Sequence, residues 1–428
     1  MRNTFLRNIF YSSPAFAFAI PTFPVMIMLP AFFSEVHDYS VSKIGMYLFL
    51  AKLLDIISDP IMGWINDRGF FSKKILLFAG AILSGLALYK LFLLSEIPYE
   101  SYLFVWISVL YIGWTMFQIP YLSLGYEIER NYFSRTKLSA AREFFILLGL
   151  FFSLGLPMIF DFTNEILLRY LVYVAFISGL VGLFLLVTFI PERKLVKKTI
   201  IFRKLFDNIR KNRQLLKIIS IWFINSLANV LPMILFAFFI TYFLGGDDSR
   251  RQEVLFYYFL FSVLGVPFWT ILSKKLGKTT TWSISLFFSA LFFAGVLFLN
   301  QGDFVLFIFI SCITGFCLGA DLILPPSIQA DITDIHLARF KEDISGILFS
   351  MITFINKFSF AIASLFVFGI LGILDFQPNE EVNKSSKNFI LISYSLFPIL
   401  LKLFAIYLLR KVSSNESEIK KIQKKIYG

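Results

Sequence analysis

Three charged side chains within one apolar stretch are the residues of this sequence best suited to chemistry. The stretch KLLDIISDPIMGWINDRGF, residues 52–70, places Lys52, Asp55 and Asp59 inside the apolar run from Val41 to Trp64. Their spacings of three and four residues put all three on one face of a helix. Because a charge at the centre of a bilayer costs about 2.5–3.5 kcal/mol on insertion scales, three on one helix require a function or internal partners.

Two interpretations of the acid pair remain open. Two carboxylates in a dry helix bundle stay ionised only beside a cation, and Lys52 compensates one of them. The pair is therefore either a structural ion-pair cluster or a coupling-ion site, at which Asp55 and Asp59 bind Na⁺ or exchange H⁺. The second interpretation is favoured, because intramembrane acids commonly serve a function that offsets their burial.

The elements that must position these residues follow from composition and length. The chain has 428 residues, of which 57% are hydrophobic and 16% charged, against about 45–50% and about 25% in soluble domains. About twelve apolar stretches are each long enough to cross a hydrocarbon layer of about 30 Å. They cover residues 9–33, 41–65, 75–95, 101–126, 138–160, 169–190, 214–244, 253–273, 281–300, 303–330, 343–374 and 388–409. The continuous runs predict an all-α integral membrane protein with twelve transmembrane helices, the first of which is not a cleavable signal peptide.

The net charge of +12 is distributed as a topology signal. If the N-terminus is cytoplasmic, most loop Lys and Arg residues lie on the cytoplasmic side, which predicts both termini inside the cell. The excess therefore indicates orientation rather than nucleic-acid binding. Cys312 and Cys317 lie in the tenth predicted span, and His37 and His336 lie in predicted loops. No metal cluster or Cys/His catalytic pair is expected, so we predict no enzyme activity and no cofactor besides a coupling Na⁺ or H⁺.

A long basic segment divides the chain into two similar halves. The predicted domains are an N-terminal six-helix bundle at 1–190, a basic cytoplasmic linker at 191–213, a C-terminal six-helix bundle at 214–410 and a cytoplasmic tail at 411–428. GWINDRGFFSKK follows the second span and WTILSKKLGKTT the eighth, while IPYLSLGYEIER follows the fourth and LPPSIQADITDI the tenth. Two six-helix repeats are typical of secondary transporters.

Three separated motifs resemble one family. DIISDPIMGWINDR is similar to the second-helix motif of the glycoside–pentoside–hexuronide:cation symporters of the major facilitator superfamily. PYLSLGYEIERNYFSRTKLSAAREFF (120–145) and ADITDIHLARFKEDISGILFSMITFINK (330–357) resemble later stretches of that family, in the same order. The resemblance covers most of the chain. It implies a major facilitator fold and symport of a sugar or glycoside with Na⁺ or H⁺ by alternating access.

The same resemblance implies a cation site. Asp55 and Asp59 match the family's two cation-binding carboxylates, and Thr115 matches a hydroxyl ligand on the fourth helix. Ser58 stands beside them where the family has an asparagine, which leaves the choice between Na⁺ and H⁺ open. Carboxylate and hydroxyl oxygens suit a hard cation. Lys357 matches a lysine near the site on the eleventh helix, where it either serves the site or pairs with an acid.

The substrate site departs from the family's pattern. Two acids of the sugar-binding members are replaced here by Ala19 and Gln118, and an adjacent aromatic by Leu122. The predicted substrate-cavity residues are Gln118, Tyr121, Lys357 and Asn229. Gln118 and Asn229 suit a neutral polar solute, although satisfied interhelical contacts would explain them equally well. Some relatives in this family carry lysolipids, so a non-sugar amphiphile is the alternative substrate.

A loop motif predicts conformational gating. Gly63, Asp67, Arg68, Gly69 and Lys73 form GxxxDRG…K, similar to the superfamily's signature between helices two and three. An acid at a helix end can pair with a neighbouring helix in one conformation only. The alternative is a role in topology alone. The predicted gating residues are Gly63, Asp67, Arg68, Lys52, Arg142 and Glu127, of which Arg142 matches a fifth-helix arginine that pairs across the bundle with acids.

The predicted partners are a small-molecule substrate and the lipid bilayer, without nucleic acid. We expect a protein of the cell (inner) membrane that functions as a monomer. A channel would not need an ion-coupled acid pair, and a membrane enzyme would need a nucleophile, a base or a metal constellation that this sequence does not display.

Overall fold

The computed structural model describes residues 4–22, 25, 28–35, 37, 39–94, 101–160, 164–192, 202–376, 383–412 and 416–427, and these residues are largely helical. The helices of unit 1, defined below, begin with α1 (Thr4–Ala19), α2 (Leu29–Glu35), α3 (Val41–Arg68), α4 (Lys73–Phe92), α5 (Tyr102–Ile128), α6 (Tyr132–Ile159) and α7 (Asn164–Phe189). There follow α8 (Phe202–Lys211), α9 (Arg213–Phe238), α10 (Asp248–Leu276), α11 (Lys278–Phe293), α12 (Phe304–Phe340), α13 (Ser345–Ile373), α14 (Lys384–Leu409) and α15 (Glu416–Tyr427). A π-helical segment, Phe239–Leu244, extends α9, and a 3₁₀ segment, Ala294–Phe298, extends α11.

The prediction of an all-α membrane protein is confirmed. In the described part of the chain, ten helices are long and apolar enough to cross a membrane. The first predicted span, 9–33, is not one continuous helix, because α1 ends at Ala19 and α2 begins at Leu29. Pro21 lacks an N–H and disfavours helical backbone in the residue before it, which accounts for the end of α1. The second, α3, has the length of a span, but its charges separate it from the ten.

Two boundaries differ from the sequence prediction or lie partly out of view. The tenth predicted span ends at 330, whereas α12 continues to Phe340. His336, expected in a loop, is therefore helical. The predicted linker 191–213 contains α8 and the start of α9, while its residues 193–201 lie outside the described residues. Residues 413–415 and 428 of the predicted tail also lie outside them.

The chain divides into two compact units. Unit 1 comprises Met1–Leu205, Thr333–Phe354 and Ile422–Gly428, and unit 2 comprises Phe206–Ile332 and Ile355–Lys421. In unit 1, α5 packs against α3 and α4, and α1 packs against α6 and α7. In unit 2, α14 packs against α9 and α11. Each unit buries its own cluster of aliphatic and aromatic side chains.

Two glycines let α4 and α5 meet backbone to backbone in unit 1. A Cβ added at Gly80 would lie 2.7 Å from the amide nitrogen of Phe117, and one added at Gly113 would lie 2.6 Å from Ser84 Oγ. Such small-residue contacts are typical of membrane helices, because close approach maximises dispersion contacts without a hydrophobic driving force. The contact fixes the position of α5, which carries Thr115.

Local signals define both ends of α3. The Ser40 hydroxyl accepts from the amide of Lys43 at 3.4 Å, and Gly69 ends the helix in the left-handed region at φ 66°. The Ser72 hydroxyl then caps α4 by accepting from the amide of Ile75 at 3.1 Å. Pro60 inside α3 removes the N–H that would bond to the carbonyl of Ile56, one turn earlier. The acid pair therefore lies where the helix ladder is locally interrupted.

Candidate functional site

The structure brings Asp55, Asp59, Thr115 and Ser58 together in unit 1. The Thr115 hydroxyl lies 3.2 Å from Asp55 Oδ1 and 2.9 Å from Asp59 Oδ1. The Ser58 hydroxyl lies 3.1 Å from that of Thr115 and 2.8 Å from the carbonyl oxygen of Asp55. Asp55, Asp59 and Thr115 are each at most 3% exposed. Four oxygen-bearing side chains from α3 and α5 thus converge in a buried position, which we call the acid cluster.

Lys52, predicted as a gating residue, lies at the edge of the acid cluster. Its Nζ is 2.8 Å from Asp55 Oδ2 and 4.8 Å from the ring centroid of Tyr111. Its side chain is 29% exposed, whereas that of Asp55 is 4% exposed. Among these three ionisable groups, Lys52 neutralises Asp55 directly, and Asp59 contacts the Thr115 hydroxyl. The three carry one net negative charge when both acids are ionised.

The donor set of the acid cluster fits a small hard cation or a proton. Carboxylate and hydroxyl oxygens suit cations such as Na⁺, whereas softer metals prefer nitrogen and sulfur. Within the described residues, no group of three or more His, Cys, Asp or Glu side chains could hold a metal ion. A cation of single charge would balance the remaining negative charge of Lys52, Asp55 and Asp59.

Asp67, a predicted gating residue, holds the first turn of α13. Its carboxylate accepts hydrogen bonds from the amides of Gly346 and Ile347, each at 2.7 Å. A helix N-terminus favours an anion there, because its first amides lack intrahelical partners. Asp67 lies beyond the predicted span 41–65, and burial raises its pKa to about 7 although both amides act to lower it. Gly63 packs beneath this contact, since an added Cβ would lie 2.9 Å from the carbonyl oxygen of Gly346.

The other residues of the loop motif have different partners. The Arg68 guanidinium lies 4.3 Å from the ring centroid of Trp64 and 5.4 Å from that of Phe70. The Nζ of Lys73 lies 2.6 Å from an oxygen of Glu127, and both side chains are largely buried. The structure thus pairs Glu127 with the loop between α3 and α4, while Arg68 packs on aromatic rings.

Unit 1 contains a second buried ion pair that the sequence analysis did not assign. Arg135 donates to both oxygens of Asp334 at 2.7 and 3.0 Å, and the two side chains are 2% and 0% exposed. Tyr126 donates to Asp334 at 2.8 Å, and Gln423 of α15 donates at 3.0 Å. Asp334 stands in the quoted stretch 330–357, but nothing local in the sequence identifies Arg135 as its partner.

Arg142 differs from its expected pairing. The guanidinium donates to one oxygen of Glu143, the next residue in α6, at 2.5 and 3.1 Å. The resemblance implied acids across the bundle, and the positions of the family's sugar-binding acids hold Ala19 and Gln118 here. A neighbouring acid in the same helix therefore supplies the negative charge.

Two of the predicted cavity residues lie on α5. The Tyr121 hydroxyl donates to the carbonyl of Tyr11 at 2.7 Å, and the Tyr11 hydroxyl donates to the carbonyl of Tyr121 at 2.9 Å. Their rings stack at 4.6 Å, so this pair joins α1 to α5 inside the core. Gln118 is half-buried and lies three residues after Thr115, on the same helical face as the acid cluster.

The other two predicted cavity residues lie in unit 2. Lys357 is half-buried on α13. Asn229 of α9 donates to Asp321 Oδ2 at 3.0 Å and accepts from Lys402 at 2.8 Å. The sequence analysis missed Asp321 and Lys402, which are 5% and 6% exposed. Both are charges within predicted spans, and the cost argument that selected Asp55 would have found them.

Comparisons with known proteins match the chain over most of its length. The family model for MFS/sugar transport proteins matches residues 10–415. The uncharacterized symporter YnaJ of Bacillus subtilis is 21% identical, over 98% of this chain and 94% of that protein. The sodium-dependent lysophosphatidylcholine symporter 1 of Gallus gallus is 22% identical, over 77% of this chain and 72% of that protein. Among solved structures, the fucose:proton symporter FucP of E. coli superposes with a TM-score of 0.71 at 12% identity, covering 97% of this chain and 100% of that one.

Proposed function

Because the chain belongs to the family of MFS/sugar transport proteins, we propose that it is a symporter that couples a sugar or glycoside to Na⁺ or H⁺ by alternating access. Family and fold identify a multi-pass membrane transporter of the major facilitator superfamily. The coupling ion, the solute class and the residues that bind them are the proposed parts. The substrate and the lipid bilayer are its proposed partners, and the monomer its functional unit.

The acid cluster carries the proposal of cation coupling. Two carboxylates and two hydroxyls converge in a site that is almost inaccessible to solvent, and Lys52 offsets only one of the two acids. Intramembrane acids are expensive unless a cation compensates them. A bound Na⁺ or H⁺ completes the charge balance, and its release restores the unbalanced state. The cluster therefore responds to the cation concentration on whichever side it is open to.

The available driving force is sufficient for accumulation. One charge that crosses a potential of about 100 mV releases about 2.3 kcal/mol. That free energy corresponds to roughly fifty-fold accumulation of a neutral solute. The basic loops orient the chain with both termini in the cytoplasm of the cell (inner) membrane, so the potential favours inward movement of the cation.

A lysolipid is the second candidate substrate. Two relatives are named sodium-dependent lysophosphatidylcholine symporters, and the acids of the family's sugar site are replaced by Ala19 and Gln118. A lysolipid would keep the coupling mechanism and change only the solute. The mechanism and the substrate are therefore tested separately.

The test uses purified protein in proteoliposomes with an imposed inward Na⁺ or H⁺ gradient. Radiolabelled mono- and disaccharides and lysophosphatidylcholine are offered in turn to the wild type, to Asp59→Asn and to Asp55→Asn/Asp59→Asn. Glu165→Gln is the matched control, because Glu165 is an exposed acid that pairs with Arg169 on the surface. We expect sugar accumulation driven by one of the two ions, abolished in both acid variants and kept in the control.

Counterflow without any cation gradient separates lost coupling from lost folding. Asp59→Asn should retain solute counterflow and lose accumulation. Gradient-independent uptake that the acid variants leave unchanged would contradict cation coupling and make the acid cluster structural. Accumulation of lysophosphatidylcholine alone would replace the solute and leave the coupling mechanism in place.

A further inference from the structure

A buried ion pair in unit 2 fixes the orientation of one amide. Lys402 Nζ lies 2.8 Å from Asn229 Oδ1 but 3.5 Å from Asp321 Oδ2, and Asn229 Nδ2 lies 3.0 Å from that same carboxylate oxygen. The Asn229 side chain thus bridges the pair, with its oxygen facing the ammonium and its nitrogen facing the carboxylate. A reversed amide would meet like partial charges on both sides. Asn229 keeps one N–H and one lone pair for another partner.

The same face of α9 carries polar atoms that the protein leaves unsatisfied. Asn225 is 1% exposed, and neither of its side-chain polar atoms has a hydrogen-bond partner among the residues that the structure describes. The indole nitrogen of Trp222 is likewise buried without such a partner. Buried polar groups in native proteins are nearly always paired, so three unpaired atoms on one helix face call for an explanation.

Helix geometry places these atoms beside the ion pair. Residues 222, 225 and 229 are spaced by three and four positions, which aligns them on one face. The Trp222 ring lies 6.2 Å from that of Trp282, and the Trp282 indole donates to Asp321 Oδ1 at 2.6 Å. Asn225 therefore lies between a pair of indole rings and the amide that bridges Asp321 and Lys402.

We propose that Trp222, Asn225 and Asn229 form a subsite for the hydroxyl-bearing, uncharged part of a solute, and that Asp321 and Lys402 position it. This rests on the proposed solute class of the transporter and assigns it residues. Amides donate and accept at once, as hydroxyl groups do, and indole rings offer an apolar surface to a sugar ring. A hydrocarbon chain would leave the amides unsatisfied, and the adjacent Asp321 disfavours an anion.

The first test removes the Asn225 amide. Asn225→Leu keeps the shape and loses no hydrogen bond among the described residues, so the thermal midpoint of the purified protein should stay unchanged or rise. D-Glucose, D-xylose, methyl β-D-glucoside and lysophosphatidylcholine are tested one at a time by thermal shift and by counterflow. We expect one of the three sugars to protect the wild type, and Asn225→Leu to weaken that binding by about tenfold or more.

A neighbouring variant serves as the matched control. Ser226→Ala removes the hydrogen bond from Ser226 to Asn356 on the same helix. It should lower the thermal midpoint slightly and leave sugar binding intact, the opposite of Asn225→Leu. Unchanged sugar affinity in Asn225→Leu, or a loss of stability in that variant, would overturn the subsite. Protection of the wild type by none of the three sugars would overturn it as well.

The positioning role is tested by neutralising both charges. Asp321→Asn/Lys402→Gln removes the pair without leaving a lone buried charge, so it should fold where the single variants fail. We expect the half-saturation concentration of the protecting sugar to rise by about tenfold, with the maximal counterflow rate retained. A fall in that rate at unchanged half-saturation would make the pair structural only. Because counterflow needs no cation gradient, these outcomes are independent of whether Asp55 and Asp59 couple a cation.

Discussion

At the level of single residues, the two acids of the acid cluster have unequal surroundings. Lys52 forms an ion pair with Asp55 at 2.8 Å, whereas the Thr115 hydroxyl is nearer to Asp59 than to Asp55. Neutralising one acid is therefore not equivalent to neutralising the other. The variant at position 55 leaves the ammonium of Lys52 without its partner, and the variant at position 59 preserves the ion pair.

This asymmetry makes a prediction about stability. Asp55→Asn should destabilise the protein by about 2 kcal/mol, less than a fully buried pair would lose because Lys52 is partly exposed. Asp59→Asn should leave stability within about 0.5 kcal/mol of the wild type while abolishing coupled accumulation. Denaturation of the purified variants, followed by intrinsic fluorescence, measures the first effect. Equal destabilisation by both variants would show that Lys52 serves both acids.

Residue identity predicted the acid cluster better than it predicted the other pairs. Asp55 and Asp59 lie one turn apart on one helix, so the sequence itself displays their proximity. Asp321 and Lys402 lie on α12 and α14, and Tyr11 and Tyr121 are 110 positions apart. Each looks ordinary until the fold brings its partner near. Tyr121 was accordingly predicted in a cavity, whereas its hydroxyl bonds to the backbone of α1.

At the level of elements, the contact between α4 and α5 determines where Thr115 lies. A Cβ at Gly80 would meet the backbone of α5 at Phe117, two residues from Thr115, at 2.7 Å. A main-chain atom cannot rotate away as a flexible side chain does. Any side chain at position 80 must therefore push the two helices apart and move the Thr115 hydroxyl away from the acids.

Gly80→Ala should consequently weaken cation activation of transport as well as stability. We expect a loss of about 1–3 kcal/mol, typical of overpacking in a close-packed interior. The cation concentration for half-maximal transport should rise severalfold. Gly155→Ala in α6 is the control, because no heavy atom lies within 4 Å of its added Cβ. It should be neutral or slightly stabilising, as expected for alanine in a helix.

Element prediction succeeded where apolar runs were long and failed where backbone chemistry interrupted them. The continuous runs from the third span onward became the helices α4 to α7 and α9 to α14. The run 9–33 looked equally apolar, but Pro21 breaks its helix after α1. An average over hydrophobicity does not register one missing N–H, and only the local backbone rule does.

At the level of the whole molecule, the pair between Arg135 and Asp334 joins segments far apart in the chain within unit 1. Both side chains are almost fully buried, and Tyr126 and Gln423 complete the shell of the carboxylate. Removing one partner of such a pair is costly, because the other charge stays buried. Removing both is much less so.

A double-mutant cycle tests this linkage. Arg135→Gln should destabilise the protein by about 3–5 kcal/mol, and adding Asp334→Asn should recover much of that loss. Arg169→Gln is the control, since its pair with Glu165 is about half exposed and should contribute at most about 1 kcal/mol. Thermal midpoints of the four proteins, measured in one detergent, complete the cycle. Additive losses in the double variant would contradict a direct pairing.

The separation of Arg135 from Asp334 also has a consequence in time. The two residues are 199 positions apart, and at roughly 5–20 residues per second a ribosome needs roughly 10–40 s to reach the second after the first. Throughout that interval Arg135 is a cation whose final partner does not yet exist. It must wait in cytosolic water, where it counts as a positive charge that orients the inserting helices. The charge that later disappears into the core thus serves first as a signal during membrane insertion.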